Sequence, residues 1–287
     1  IISFYIPGIP AGNFMGEEGT AMRMVLCETE ESRRTYTLNS FGQTISSYEE
    51  LCYIISGQYL YFLTEGIPEG MREWIEEELG LVLPAEEETK KQLEHIISYR
   101  NYFTVPEQRM LVQQMRTAYL YSSVRKHKML GDLYLKHSRY LSAYHAYQKS
   151  LSGLMQLKTK EQQEVLYHTG LCLTRMFRFQ EAKEFFKRSC RLKENKKCQE
   201  AYFIVSYMQG DYQKFLEDGR ALSFTEEQLR EIHENISAME ERFSGSEEST
   251  ALKKIGYHRK KPDDLMTRRL TWSMLERWKN EYRREIV

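Results

Sequence analysis

The spacing of apolar positions changes character near Pro84. Before it the pattern is mixed. "RMVLCETE" (23–30) and "RTYTLNSF" (34–41) are short, rich in strand-forming residues and flanked by turn formers, which predicts a small hairpin. In "SSYEELCYIIS", Ser47 stands three residues before Glu50, the spacing of a capping box, and predicts a helix from Tyr48 to about Ser56. "QYLYFLTEG" (58–66) is an apolar run that reads equally as helix or strand. "PEGMREWIEEELG" sets Met71, Trp74, Ile75 and Leu79 at helical spacing, with Gly80 as the stop.

Beyond Pro84 the period is helical almost throughout. The acidic start of "AEEETKKQ" suits a helix N-terminus, and Leu93, Ile96, Ile97 and Tyr99 follow on one side. Thr104 and Glu107 form a second capping box with Pro106 in the first turn. The helix it opens aligns Met110, Leu111, Met115, Ala118 and Tyr119, and Ser122 and Ser123 offer a break or a new cap. Thr159 with Gln162, and Thr225 with Gln228, mark two later helix starts. "FSGSEEST" (243–250) is short and polar and reads as a linker. At the end Thr271, Leu275, Trp278, Tyr282 and Ile286 return to helical spacing.

Within the helical region one pattern recurs. "GDLYLKHSRYLSAYHAYQKS" (131–150) aligns with "GLCLTRMFRFQEAKEFFKRS" (170–189) at an offset of 39 residues. Gly131 matches Gly170, Tyr140 matches Phe179, Ala143 matches Ala182, Tyr147 matches Phe186 and Ser150 matches Ser189. Helix-on-helix packing explains the spacing. Small residues let two antiparallel backbones approach, and the aromatics fill the space beside the crossing. One such pair leaves an apolar face open, so neighbours must stack on it.

These residues resemble the tetratricopeptide repeat (TPR) family, whose period is about 34 residues; the loop "SGLMQLKTK" absorbs the excess. Gly131, Tyr134, Tyr140, Ala143 and Tyr147 fall on the family's small and aromatic positions. Gly170, Phe179, Ala182 and Phe186 repeat them, with Leu173 in place of the usual tyrosine. The repeat-ending proline is missing from both copies. "AYFIVSYMQGDYQKFLEDGRAL" (201–222) reads as a degenerate third copy, with Gly210–Tyr212 at the inter-helix turn and Phe215 where a small residue is expected. The resemblance implies a concave groove lined by the first helix of each pair. By matching family positions, it would present Arg125, Lys128, Asp132, Leu135 and Lys136 from the first copy, and Glu164, Tyr167, Leu171, Thr174 and Arg175 from the second. Lys128 matches a lysine with which chaperone-binding members grip a terminal carboxylate. Asp132 replaces the neighbouring asparagine of that clamp and would repel a carboxylate, which leaves an extended acidic or amphipathic peptide as the implied ligand.

Composition narrows the function classes. The formal net charge over 287 residues is zero, against a dedicated nucleic-acid binder. Ala251–Val287 alone carries 11 Lys/Arg against five Asp/Glu. It reads either as a helix covering the end of the stack through Trp272, Leu275, Trp278 and Tyr282, or as a basic segment for an acidic partner or nucleic acid. The five cysteines are odd in number and scattered, without a CxxC, which excludes a disulfide framework and fits a reducing, cytoplasmic setting. Cys172 and Cys190 fall in the packed hairpin as small hydrophobes. No apolar run reaches the roughly 18 residues of a membrane span. The seven histidines make no HExxH or Cys/His metal spacing, and no phosphate loop or nucleophile elbow occurs. The runs Glu76–Glu78 and Glu86–Glu88 read as solvated helix faces and starts.

The sequence therefore predicts a mainly α protein, a TPR-like stack of antiparallel helix pairs with a small N-terminal α+β module. The divisions are 1–21 (a non-native or disordered extension), 22–84 (the module), 85–243 (the repeats), 244–262 (a linker) and 263–287 (an amphipathic helix). No catalytic, cofactor or metal residue is expected. The implied role is a non-enzymatic adaptor or scaffold for a protein or peptide; the alternatives are a peptide-sensing regulator or a nucleic-acid-associated factor using the basic tail. "GEEG" (16–19) can be encoded by a ribosome-binding sequence shortly before Met22, which makes Met22 the expected start of the natural protein. Intact mass of the natural protein should begin at Met22; a peptide from before it sinks that reading.

Overall fold

In "RTYTLNSFGQTI" the first half forms strand β1 (Tyr36–Leu38), paired antiparallel with β2 (Gln43–Ile45) in the register Tyr36↔Ile45. The computed structural model describes residues 32–84, 88–193, 195–208, 212–221, 224–259 and 264–286. The expected extension Ile1–Ala21, the expected strand over 23–30, Cys27, Glu86, Glu87 and the turn residues Gly210 and Asp211 lie outside them. The hairpin's second arm is thus Gln43–Ile45, too short to announce itself by alternation.

Helix α1 (Tyr48–Glu65) runs beyond the expected end and takes in the ambiguous apolar run, bending where Gln58 leaves helical geometry at φ −132°, ψ 20°. Tyr61 and Phe62 are buried there, so burial decides what the pattern left open. Ser47 accepts from the Glu50 N–H at 3.2 Å, while the Glu50 carboxylate accepts from the Ser46 N–H at 2.6 Å, one residue upstream of the ideal capping box. Helix α2 (Glu69–Leu79) stops at Gly80, whose φ of 66° suits glycine. Then follow α3 (Thr89–Ser98), α4 (Val105–Tyr119, with the Thr104/Glu107 capping box), α5 (Ser123–Lys136, capped by Ser122) and α6 (Tyr140–Leu151). After a 3-10 turn at Leu154–Gln156 come α7 (Thr159–Arg175), α8 (Phe179–Leu192), α9 (Lys196–Met208), α10 (Tyr212–Ala221), α11 (Glu226–Ser244), α12 (Glu247–Arg259) and α13 (Asp264–Ile286).

The described residues divide into two compact units at the Lys158–Thr159 junction. In the first, α1 packs on α3, α4 and α5, and α5 on α6. Phe41, at the hairpin turn, stacks on Tyr134 of α5 with ring centroids 5.2 Å apart and meets Tyr61 and His137 edge-on. Burial and the Lys136 and Arg139 charges hold the His137 imidazole below its usual range, so it stays neutral among these rings. Tyr48 ties α1 to the end of α3, donating to the Ile96 carbonyl at 2.7 Å and accepting from the Arg100 N–H at 3.0 Å. The boundary expected at Pro84 therefore falls inside this unit.

In the second unit α7 packs on α8, α8 on α9, α9 on α10 and α11, α11 on α12, and α12 on α13. The segment expected as a linker holds α12; between α11 and α12 stand Gly245 and Ser246, and the Ser246 hydroxyl accepts from the Ser249 N–H at 3.1 Å. Acidic residues at its start and good helix formers after them outweigh the polar composition. In the degenerate third copy Phe215 is fully buried and meets Phe203 edge-on at 5.3 Å.

The hairpins α5/α6 and α7/α8 repeat one geometry. Among the described residues Ser138 and Phe177, 39 positions apart, are the non-glycine residues with positive φ, at 58° and 59°. Arg139 and Arg178 each donate their N–H at 2.9 Å, to the carbonyls of Tyr134 and Leu173 respectively. A Cβ on Gly131 would lie 2.5 Å from Tyr147 Cε1, and one on Gly170 would lie 2.7 Å from Phe186 Cε1. Both rings are fully buried, as are Ala143 and Ala182. Gly131→Ala and Gly170→Ala each gain about 0.5–1 kcal/mol of helix propensity and incur about 1–3 kcal/mol of overpacking. Both should lower stability in urea by about 1 kcal/mol net; unchanged or raised stability would show that the rings can move aside.

Candidate functional site

Helices α5 and α7 carry the ten positions that the repeat assigns to a groove, five on each. The two helices belong to different units. On α5, the Arg125 guanidinium lies 4.3 Å from the Tyr121 ring centre, and Lys136 is exposed in the last turn with Leu135 half-buried beside it. Lys128 is turned inward: its side chain is only 13% exposed and its Nζ lies 2.7 Å from Asp132. Asp132 in turn accepts from the Tyr147 hydroxyl at 2.7 Å. Lys128, Asp132 and Tyr147 thus form one network linking α5 to α6.

On α7 the same positions are apolar. Lys128 corresponds to Tyr167, Asp132 to Leu171 and Tyr147 to Phe186. The Tyr167 ring packs on Phe186 at 5.6 Å, and burial holds its phenol protonated well above the usual range. Leu171 is buried, and Thr174 is buried with its hydroxyl donating to the Gly170 carbonyl at 2.8 Å. Glu164 and Arg175 remain half-exposed. The side chains at 128, 132, 167 and 174 have partners in their own hairpins, and that at 171 is buried. Those at 125, 136, 164 and 175 keep solvent access. The correlated change from Asp132 and Tyr147 to Leu171 and Phe186 is visible when the two copies are aligned, and it was the available sequence signal that Asp132 serves Tyr147.

Sequence reasoning missed a second polar cluster. Lys183 of α8 is 6% exposed, pairs with Asp218 of α10 and lies 5.1 Å from the Tyr202 ring centre on α9. Burial, reinforced by Asp218, pushes the Tyr202 phenol up. Nothing in local periodicity marks a lysine 35 residues from its carboxylate as buried. The serines that close the copies also differ. Ser189 donates to the Gln163 carbonyl at 3.0 Å, and the Gln163 amide donates to the Lys193 carbonyl at 2.5 Å. Val124 stands where Gln163 does, and the Ser150 hydroxyl is buried without a hydrogen-bond partner among the described residues.

On the C-terminal helix, among the described side chains, Met274 is buried, Trp278 is half-buried, and Trp272 is 65% exposed with the Lys279 ammonium 5.5 Å from its ring centre. Tyr282 and Ile286 side chains lie outside the described residues. The histidines are dispersed; among the described residues no three His, Cys, Asp or Glu side chains gather so as to hold a metal ion. No helix of the described residues is long and apolar enough to cross a membrane. No protein-family model, curated protein or solved structure matches this chain.

The network makes a sign prediction. Tyr147→Phe removes a hydrogen bond to a carboxylate at a partly buried site and should lower stability by about 1–2 kcal/mol. Asp132→Leu should lower it further, because it leaves Lys128 and the Tyr147 hydroxyl without that carboxylate. The double variant Asp132→Leu/Tyr147→Phe recreates the pair of the second hairpin and should recover part of the loss in urea denaturation; strictly additive losses would refute the coupling.

Proposed function

We propose that this chain is a TPR-like, non-enzymatic adaptor that binds an extended segment of another protein through solvent-accessible charged positions on the first helix of a hairpin, Arg125 and Lys136 on α5. The carrying observation is that one hairpin geometry occurs twice, with charged and solvent-accessible positions at the same two places in each copy: Arg125 and Lys136, then Glu164 and Arg175. Scaffolds of this kind use packing residues for architecture and the remaining positions for recognition. Lys128 is already neutralised by Asp132, which weighs against a grip on a peptide's terminal carboxylate and favours side-chain recognition along the segment. A cytoplasmic setting goes with this reading, supported by the free state of the four described cysteines.

A second reading has its own support. Trp272 is exposed on α13 beside Lys279, with Arg268, Arg269 and Arg283 also exposed, the combination of stacking surface and cation that single-stranded nucleic acid favours. The two readings separate by experiment. The tagged chain should co-purify a defined protein from its native cell. Arg125→Glu/Lys136→Glu should cut its recovery about ten-fold, as expected for loss of charged contacts. Retention of the partner by this variant sinks the adaptor reading. Salt-sensitive binding of a single-stranded oligonucleotide, abolished by Trp272→Ala, would establish the second reading instead.

A further inference from the structure

The α8–α9 junction carries two cysteines, one of which, Cys190, the sequence pattern reads as a small hydrophobe. Cys190 lies in the last turn of α8 and is partly exposed; Cys198 lies in the first turn of α9 and is 1% exposed. Their sulfurs are 2.9 Å apart, the Cys190 thiol donating toward Cys198, and the Cys198 thiol donates in turn to the Phe186 carbonyl at 3.2 Å. A disulfide needs about 2.05 Å, so bond formation asks for a sulfur displacement of less than about 1 Å. The two other described cysteines, Cys52 and Cys172, are fully buried.

The surroundings favour reaction at this pair. The Cys198 N–H donates to the Asn195 carbonyl at 3.0 Å as α9 begins, which sets its sulfur at a helix N-terminus where the dipole favours a thiolate. Lys196 and Lys197 immediately precede it. The hydrogen bond from Cys190 shifts Cys198 the same way, below the usual thiol range, while Cys190 as the donor is shifted up. One member of the pair can be reached from solvent, and the other is prepared to attack it.

We propose that Cys190 and Cys198 form a reversible disulfide clip between α8 and α9, made by exchange with a low-molecular-weight disulfide. Cys190 Sγ attacks one sulfur of the small disulfide; that S–S bond breaks, its other half leaves as a thiolate, and the Cys190 proton ends on it. The thiolate of Cys198 then attacks Cys190 Sγ, displacing the second half, which takes up the proton given up by Cys198. The two cysteines together lose two electrons and two protons, and the small disulfide is reduced to two thiols. The bond closes a short loop, which constrains the unfolded chain and ties the second hairpin to the helix that carries Tyr202. The inference stands apart from the adaptor reading, since it concerns two thiols and no partner.

Arg191, Lys193 and Lys197 separate the two cysteines into different tryptic peptides, so a crosslink is visible directly. The full chain is equilibrated with glutathione disulfide and glutathione at several ratios, acid-quenched, unfolded, alkylated and digested. The expected product joins the Cys190 and Cys198 peptides with loss of two hydrogens and disappears with excess dithiothreitol, while Cys52 and Cys172 are recovered alkylated. Oxidised protein should melt on the order of 5 °C higher than reduced protein. Cys198→Ser should stop at the Cys190–glutathione mixed disulfide, and Cys190→Ser should leave Cys198 unmodified. A mixed disulfide at Cys190 that persists in the unaltered chain, or two alkylated thiols at a large excess of glutathione disulfide, would overturn the proposal. Because that readout uses the unaltered chain, instability of either variant does not rescue it.

Discussion

The architecture depends on a close approach between a glycine and an aromatic ring. At Gly131 and again at Gly170 the first helix of a hairpin gives up its side chain so that the ring of Tyr147 or Phe186 can occupy the space a Cβ would fill. Ala143 and Ala182 do the complementary thing on the second helix, where any larger residue would hold the pair apart. Interiors packed to this density do not deform to accept an added methyl group. The turn follows from the crossing. With the helices this close, the connection is short, and one residue must take left-handed geometry. Ser138 and Phe177 do so without being glycine, because the hydrogen bonds on either side leave the chain no other path.

Once that crossing exists, the aromatic ring beside it decides the chemistry of the first helix. A tyrosine brings a hydroxyl into a partly buried site, and a hydroxyl there needs an acceptor. Asp132 supplies it, and Lys128 balances the charge. A phenylalanine makes no such demand, and the same positions become Leu171 and Tyr167. Two positions in each copy, Lys128 and Asp132 on α5 and Tyr167 and Leu171 on α7, thus follow from the ring on the second helix, Tyr147 or Phe186. The outer positions Arg125, Lys136, Glu164 and Arg175 keep their charge because water still reaches them. This division also accounts for Lys183: the position faces α9 and α10, and its charge is matched by Asp218 and the Tyr202 ring.

Much of the fold was legible in the sequence, because it is written in local terms. Helix starts follow from Thr104/Glu107 and Thr225/Gln228, stops from Gly80, and the hairpins from small and aromatic residues at fixed separations. The misses share a cause. The run 59–63 is apolar without a break, so period could not choose between helix and strand; burial of Tyr61 and Phe62 chose. The segment after Phe243 is polar, yet α12 forms there against its neighbours. The hairpin strand Gln43–Ile45 is too short for alternation to be read, and Phe41 between the strands finds its stacking partner in Tyr134, far along the chain.

By itself, then, the sequence determined the helical hairpins, their repetition and the absence of a recognisable catalytic motif, since each depends on residues a few positions apart. The tertiary structure decided which charges are available. Lys128 and Lys183 look like any surface lysine in a list of residues, and Trp272 looks like a core residue. Whether a charge meets water or a carboxylate, and whether two thiols such as Cys190 and Cys198 meet each other, depends on distances between elements. Those distances are set by how the helices pack, which local spacing does not encode.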